Sequence, residues 1–137
     1  MSAKAFLDTN IVVYALAQSD ARTAVAERLL LSGGVVSVQV LNEFVAVARR
    51  KLNRSWPDVR AALTAIRQLC GDPLAVDAAI HDVAIDLAEA NGLSIYDATI
   101  VAAAEAAGCD VLYSEDMQHG RAFAGGLRIE NPFLAQP

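Results

Sequence analysis

Two kinds of apolar run alternate along the chain: short aliphatic or β-branched stretches, and longer ones whose apolar positions recur at helical spacing. The first short run, Lys4 to Leu7, ends at Asp8 and is followed by Ile11-Val12-Val13-Tyr14-Ala15-Leu16. Asp8-Thr9-Asn10 interrupts them with residues that cap helices and make turns, so the pattern predicts strand, turn, helix. A helix from Ala21 to Leu31 follows, closed by Ser32-Gly33-Gly34, and Val35 to Val38 reads as a buried β-branched strand. Gln39 to Leu52 is helical by the same criteria. Ser55 is the expected cap of a helix over Asp58 to Cys70, with Pro57 in its first turn and Gly71-Asp72-Pro73 as its stop. Leu74 to Val76 fits a short edge strand, and Ile80, Val83, Ala84 and Leu87 mark a helical stripe within Ala78 to Ala90, ended by Asn91-Gly92. Ser94 caps a last helix reaching about Ala107. Val111 to Tyr113 and Leu127 to Ile129 are the remaining strands, with Glu115 to Gly126 the longest irregular stretch.

Short apolar strands that alternate with helices and lack period-2 alternation indicate a parallel sheet covered on both faces, the α/β class. No repeat, low-complexity segment or linker divides the 137 residues, so residues 1–137 are expected to form one domain. The chain is 55% hydrophobic, ample for a core, yet no uncharged apolar run approaches the ~20 residues that span a bilayer. The segment after Met1 also lacks the apolar stretch of a secretory signal, which predicts a soluble, cytoplasmic protein with no membrane partner. Cys70 and Cys109, like His81 and His119, are isolated from one another, which argues against a zinc site or a Ser/His/Asp triad. A net charge of -5 argues against a general nucleic-acid platform, because bulk phosphate affinity comes from Lys and Arg. It does not exclude an enzyme that meets nucleic acid through a local patch. Arg49, Arg50, Lys51 and Arg54 form such a patch, although cations at a helix end also complement its dipole.

Three acids stand where acids are not expected. Asp8 is the only charged residue between Lys4 and Asp20, Glu43 the only one from Val35 through Ala48, and Asp97 the only one from Gly92 through Ala104. Burying a lone carboxylate costs several kcal/mol unless something pairs with it, and none of these segments supplies a Lys or Arg. In an open parallel sheet, functional groups gather at the carboxyl ends of the strands, where the following helices also begin. Asp8 ends the first strand, while Glu43 and Asp97 lie early in helices that start at that edge. Asp116, two residues past Ser114 at the end of the Val111 strand, reaches the same place; Asp110 belongs at the opposite edge, and Glu115 points elsewhere if Asp116 points in. Structural roles compete: Asp8 could cap the first helix, and Ser94-Ile95-Tyr96-Asp97 fits a capping box. Glu43, mid-helix between Val40 and Val47, has no such role. Carboxylates gathered within a few ångström repel one another unless a hard, oxygen-preferring cation neutralises them, which predicts Mg²⁺ or Mn²⁺.

Asp8-Thr9-Asn10 after an amino-terminal strand, Asn42-Glu43-Phe44 in a helix, Tyr96-Asp97-Ala98 opening another, and Ser114-Glu115-Asp116 after a strand together resemble the PIN-domain ribonucleases. Chain length and the ending Asn131-Pro132-Phe133 further resemble the VapC-type toxins of bacterial toxin–antitoxin pairs. The resemblance covers nearly the whole chain. It implies a single-domain α/β/α sandwich with a short central parallel sheet and a Mg²⁺- or Mn²⁺-dependent endoribonuclease that leaves a 5′-phosphate and a 3′-hydroxyl. It further implies a homodimer, an RNA substrate, and inhibition by a cognate antitoxin whose tail occupies the active site. Carried over, Asp8, Glu43, Asp97 and Asp116 are the metal-binding and catalytic acids, with Ser114, Thr9 and Asn10 orienting carboxylates or substrate. Arg49, Arg50, Lys51 and Arg54 become candidates for RNA or antitoxin contacts.

Two other readings compete. A catalytically silent protein of the same fold could bind an antitoxin or RNA without a metal, although it would have no use for all four acids. A phosphoryl-transfer domain also places aspartates at strand ends, but Asp8-Thr9-Asn10 is not Asp-x-Asp, and no lysine lies between Gly92 and Gly126.

Overall fold

A computed structural model describes residues 4–134. Within them six helices and three strands follow one another as β1 (Ala5–Leu7), α1 (Thr9–Leu16), α2 (Thr23–Leu31), α3 (Val38–Arg50), α4 (Trp56–Cys70), α5 (Ala78–Asn91), α6 (Ile95–Ala106), β2 (Val111–Tyr113) and β3 (Arg128–Glu130). The strands form a parallel sheet in the order β1-β2-β3, with Phe6 opposite Leu112 and Leu112 opposite Ile129. This is the expected α/β/α arrangement around a short central sheet.

Beyond β1 the sheet continues through two single bridges rather than full strands. Val35 pairs with Phe6, and Ser37 with Leu74, both in parallel. The expected strand over Val35 to Val38 therefore ends early. Ser37 is the N-cap of α3, its hydroxyl accepting from the Val40 amide at 3.4 Å, so capping chemistry takes the chain out of extended backbone at Val38. Leu74 to Val76 likewise contributes one bridge instead of an edge strand. Tight packing of this side of the sheet requires Gly34, where a Cβ atom would stand 2.7 Å from Leu7 Cγ.

Further boundaries move for equally local reasons. Asp8 caps α1 directly, so Thr9 and Asn10 belong to its first turn and no separate turn intervenes. Residues 21 and 22 lie in a turn, and α2 begins at Thr23, whose hydroxyl accepts from the Asp20 amide. Ser55 caps α4 as expected, although the helix begins at Trp56. The last strand is shifted one residue, to Arg128–Glu130. The long segment after Glu115 is ordered by a hairpin-like return: Ala122 bridges Arg128 antiparallel, the Phe123 amide donates to Leu127, and Met117 and Phe123 are buried.

The core is aliphatic. Phe6, Leu7, Ile11, Val12, Phe44, Ile100, Leu112 and Ile129 are essentially inaccessible, and burying each such side chain stabilises the fold by about 1.5–3 kcal/mol. α6 is buried from Ala98 through Ala104. Its small residues let α5 approach closely, with Ala84, Ala98 and Ala102 forming a second apolar cluster. Among the described residues no helix is long and apolar enough to cross a membrane.

Candidate active site

The carboxyl edge of the sheet gathers the acids because each segment that carries one starts there. Asp8 follows β1, and Ser114 to Asp116 follow β2, directly beside it in the sheet. Glu43 lies in the second turn of α3 and Asp97 in the first turn of α6. Asp8, Glu43, Asp97 and Asp116 line one cavity of about 330 Å³, with Thr9, Asn10, Tyr14, Gln18 and Lys51 among the other polar residues on its wall. A larger hollow of about 440 Å³ lies between α1, α3 and α4, but Leu16, Ala17, Phe44, Ala48 and Val59 make its lining mostly apolar, and the four acids are not part of it.

Each acid is held differently. Asp8 is 5% exposed; its Oδ1 accepts from the Thr9 amide at 2.7 Å and its Oδ2 from the Ser114 hydroxyl at 2.6 Å. It thus caps α1 and faces the cavity at once. Burial pushes its carboxyl up to about 6; the bonds from Ser114 and Thr9 oppose the rise, and the charges of Asp97 and Glu43 add to it. The two oxygens of Glu43 accept from the Thr9 hydroxyl at 3.1 Å and the Gln39 amide at 2.6 Å. Asp116 accepts from Asn10 Nδ2 at 3.1 Å, while Asn10 Oδ1 accepts from the Glu115 amide at 3.3 Å.

Asp97 completes only half of the expected capping box. Its amide donates to Ser94 Oγ at 3.1 Å, but among the described residues no hydrogen bond reaches its carboxylate. Burial, then the charges of Glu43 and Asp116, raise its pKa. The capping role therefore leaves the charged end free for the cavity.

The acids share a cavity without touching. Among the described residues no three His, Cys, Asp or Glu groups already form a ready set of metal ligands, which corrects the expectation that the carboxylates stand within a few ångström. Neutral donors hold Asp8, Glu43 and Asp116 apart, and like charges oppose closer approach. The donor set nevertheless suits a hard divalent cation: all four are carboxylates, one is deeply buried, and burial, with neighbouring negative charge adding to it, raises the pKa of two of them.

Of the basic run, Lys51 alone lines the cavity. Arg54 donates to the Ala17 carbonyl at the end of α1, Nε at 3.1 Å, and Arg49 lies over the Trp56 ring at 4.6 Å while donating to the Arg54 carbonyl. Arg50 is exposed. Ser114 and Asn10 each bond one of the acids and Thr9 bonds two, in keeping with an orienting part. Gln39, Tyr14 and Gln18 carry no signal that sequence reasoning used, although Gln39 stands one helical turn before Glu43, a spacing that could have exposed it. Glu115 points away from the cavity, as expected, and accepts from Tyr14 and Arg22.

A parallel α/β/α domain with four acids at the carboxyl edge of its sheet defines a class of fold and site. Residues 5–122 match the model of the PIN domain, and the chain belongs to that family. Its fold is similar to that of VapC20 from Mycobacterium tuberculosis, a Sarcin-Ricin loop cleaving toxin, with 27% identity and a TM-score of 0.64 over 82% of this chain and 90% of that one. FitAcB from Neisseria gonorrhoeae shares the fold at 24% identity and a TM-score of 0.65, covering 94% and 98% of the two chains. So does VapBC2 from Rickettsia felis, solved with a DNA fragment from its promoter, at 20% identity and a TM-score of 0.64, covering 93% and 97%. No curated protein matches the sequence.

Proposed function

We propose that the chain is an endoribonuclease dependent on Mg²⁺ or Mn²⁺, acting as the toxin of a type II toxin–antitoxin pair, with residues 1–137 as one nuclease domain. The observation that carries this reading is the convergence of Asp8, Glu43, Asp97 and Asp116 on one cavity, in a chain of the PIN-domain family. The likeness to an RNA-cleaving toxin supports RNA as substrate, and the neighbours from two-protein systems support a cognate antitoxin as partner. A homodimer, which the resemblance implies, and a cytoplasmic site of action belong to the same reading.

In this reading Asp8, Glu43, Asp97 and Asp116 hold the cation. A divalent cation bound there supplies the positive charge that lowers the pKa of water from about 15.7 and offsets charge on the phosphoryl oxygens. Ser114 and the Thr9 amide fix both oxygens of Asp8, so its carboxylate enters the cavity in one orientation. Thr9 and Gln39 do the same for Glu43, and Asn10 for Asp116. Such preorganisation places negative charge before substrate arrives.

Purified protein incubated with total cellular RNA and Mg²⁺ or Mn²⁺ tests the reading, with EDTA and the Asp97→Asn variant as controls. Discrete fragments that disappear in both controls are expected, with 5′-phosphate ends on sequencing. Intact RNA, together with no calorimetric heat from Mn²⁺, would favour a silent antitoxin- or RNA-binding protein instead.

A further inference from the structure

A cavity walled by four carboxylates, in a chain of net charge -5, is a poor place for a polyanion unless something besides the bound cation attracts it. Lys51 is the one cationic residue on that wall. Glu43, Val47 and Lys51 are spaced four apart along α3 and its C-cap, and all three line the cavity, so one helix face carries an acid at one end and a cation at the other. The backbone holds this register through Lys51, whose amide donates to the Val47 carbonyl at 2.9 Å. Eight residues of helix separate the two by about 12 Å along the axis. That offset sets the exposed Lys51 apart from Glu43 on the cavity wall.

The rest of the basic run is engaged or directed elsewhere. Arg54 is tied to the end of α1 and Arg49 to Trp56 and the Arg54 carbonyl. Among the described residues none of the ion pairs involves Lys51, so its ammonium is not neutralised by the acids below it. An exposed ammonium on a flexible stem suits a phosphate as a point charge, without demanding the fixed geometry of a guanidinium fork. A carboxylate-bearing peptide would offer charge of the same sign, but only RNA must pass through this cavity for the proposed reaction to occur.

We propose that Lys51 binds a backbone phosphate of the RNA flanking the scissile one, and so sets how the strand enters the acidic cavity. The inference rests on the nuclease reading above. Lys51 contributes to substrate affinity and takes no part in the bond-breaking step.

The test compares Lys51→Ala with Lys51→Arg and with Arg60→Ala, an equal loss of charge at an exposed position on α4 outside the cavity. Binding of a short fluorescent single-stranded oligoribonucleotide is followed by anisotropy in Mg²⁺ across a salt series, each variant being made in an Asp97→Asn background so that the probe survives. Lys51→Ala should weaken binding roughly three- to tenfold at low salt and reduce the slope of log K against log[salt] by about 0.7, the value for one phosphate contact on a single strand. In the otherwise native protein it should raise KM by a similar factor and leave kcat within about twofold. Lys51→Arg should restore both slope and KM, and Arg60→Ala should change neither. An unchanged slope in Lys51→Ala, an equal loss in Arg60→Ala, or a fall in kcat alone would overturn the inference while leaving the nuclease reading intact. Native protein that neither cleaves nor binds RNA would overturn the nuclease reading itself, and a Lys51→Ala effect confined to binding of an acidic peptide would reassign the lysine to a protein partner.

Discussion

Glu115 and Asp116 are neighbours in the chain and end in opposite electrostatic worlds. Glu115 meets a guanidinium: Arg22 donates to both of its oxygens at 3.1 Å, Tyr14 donates its hydroxyl, and Asp20 holds Arg22 from the other side at 2.6 Å. Arg22 also lies over the Tyr14 ring, 3.9 Å from its centroid. Asp116, one residue on, faces the cavity with Asp8, Glu43 and Asp97, where its bond comes from a neutral amide. The first cluster contains its own counter-ion and is complete. The second is built from acids and neutral donors, so its charge is left for something from outside. An ion pair supplied by the fold marks structure; an uncompensated set of acids, each held in place, marks a site.

Removing charge from the two clusters should therefore have unlike effects. The largest belongs to the cavity: Asp8→Asn should lower RNA cleavage on the order of 10³-fold, yet leave the protein at pH 7 no less stable in thermal melts. A strongly destabilised variant would mean that Asp8 serves α1 as a cap and little else.

The next effect is one of pH. Asp8 titrates near 6 in the fold against 3.8 for the ordinary carboxyl, so between those values the folded state holds a proton that the unfolded chain has lost. Metal-free protein should be most stable below about pH 4 with respect to this group and lose on the order of 3 kcal/mol as pH rises through 6. Denaturant titrations at several pH values would show the decline. Mg²⁺ at neutral pH should offset it, Asp8→Asn should abolish it, and a flat profile in EDTA would contradict the account of the cavity.

Asn10 touches both clusters, donating to Asp116 and accepting from the Glu115 amide. Asn10→Ala should reduce Mn²⁺ affinity by roughly 10- to 100-fold in calorimetry, the range for a residue that orients a ligand. Smallest is the change at the completed pair. Tyr14→Phe removes one bond to Glu115 while Arg22 remains, so about 1–2 kcal/mol of stability should be lost, with metal affinity unaltered. The tyrosine hydroxyl, raised to about 12 by burial and by Glu115, should stay protonated in a spectrophotometric titration through pH 10.

What the sequence disclosed about these regions followed from contrast. Asp8, Glu43 and Asp97 stand out because each is alone in an apolar segment, and the strand–helix alternation by itself puts them at one edge. Val111 to Tyr113 was equally plain, since a β-branched start between Asp110 and Ser114 leaves little choice of bounds. The extents of Val35 to Val38 and Leu74 to Val76 were not readable, because Ser37 serves both an extended bridge and a helix cap, and local composition does not rank the two. The partner of Glu115 was equally hidden. Arg22 lies 93 positions away, and only the folded sheet brings the turn before α2 and the segment after β2 together. The same distance concealed that Arg54 serves α1 while Lys51, three residues earlier, faces the acids.

The sheet that brings these groups together also sets when they meet. Ala5 pairs with Val111, and Ser114 reaches Asp8 across 106 positions, so β1 has its neighbour only after most of the chain exists. Pairings of such long range carry a large loop-closure entropy and form late in folding. During synthesis the amino-terminal half emerges with Asp8 and Glu43 but without Ser114 to fix the first or Asp116 to complete the ring. The four acids therefore become one site only after the chain has passed Asp116 and β2 has paired with β1, and a molecule short of that point holds its acids apart.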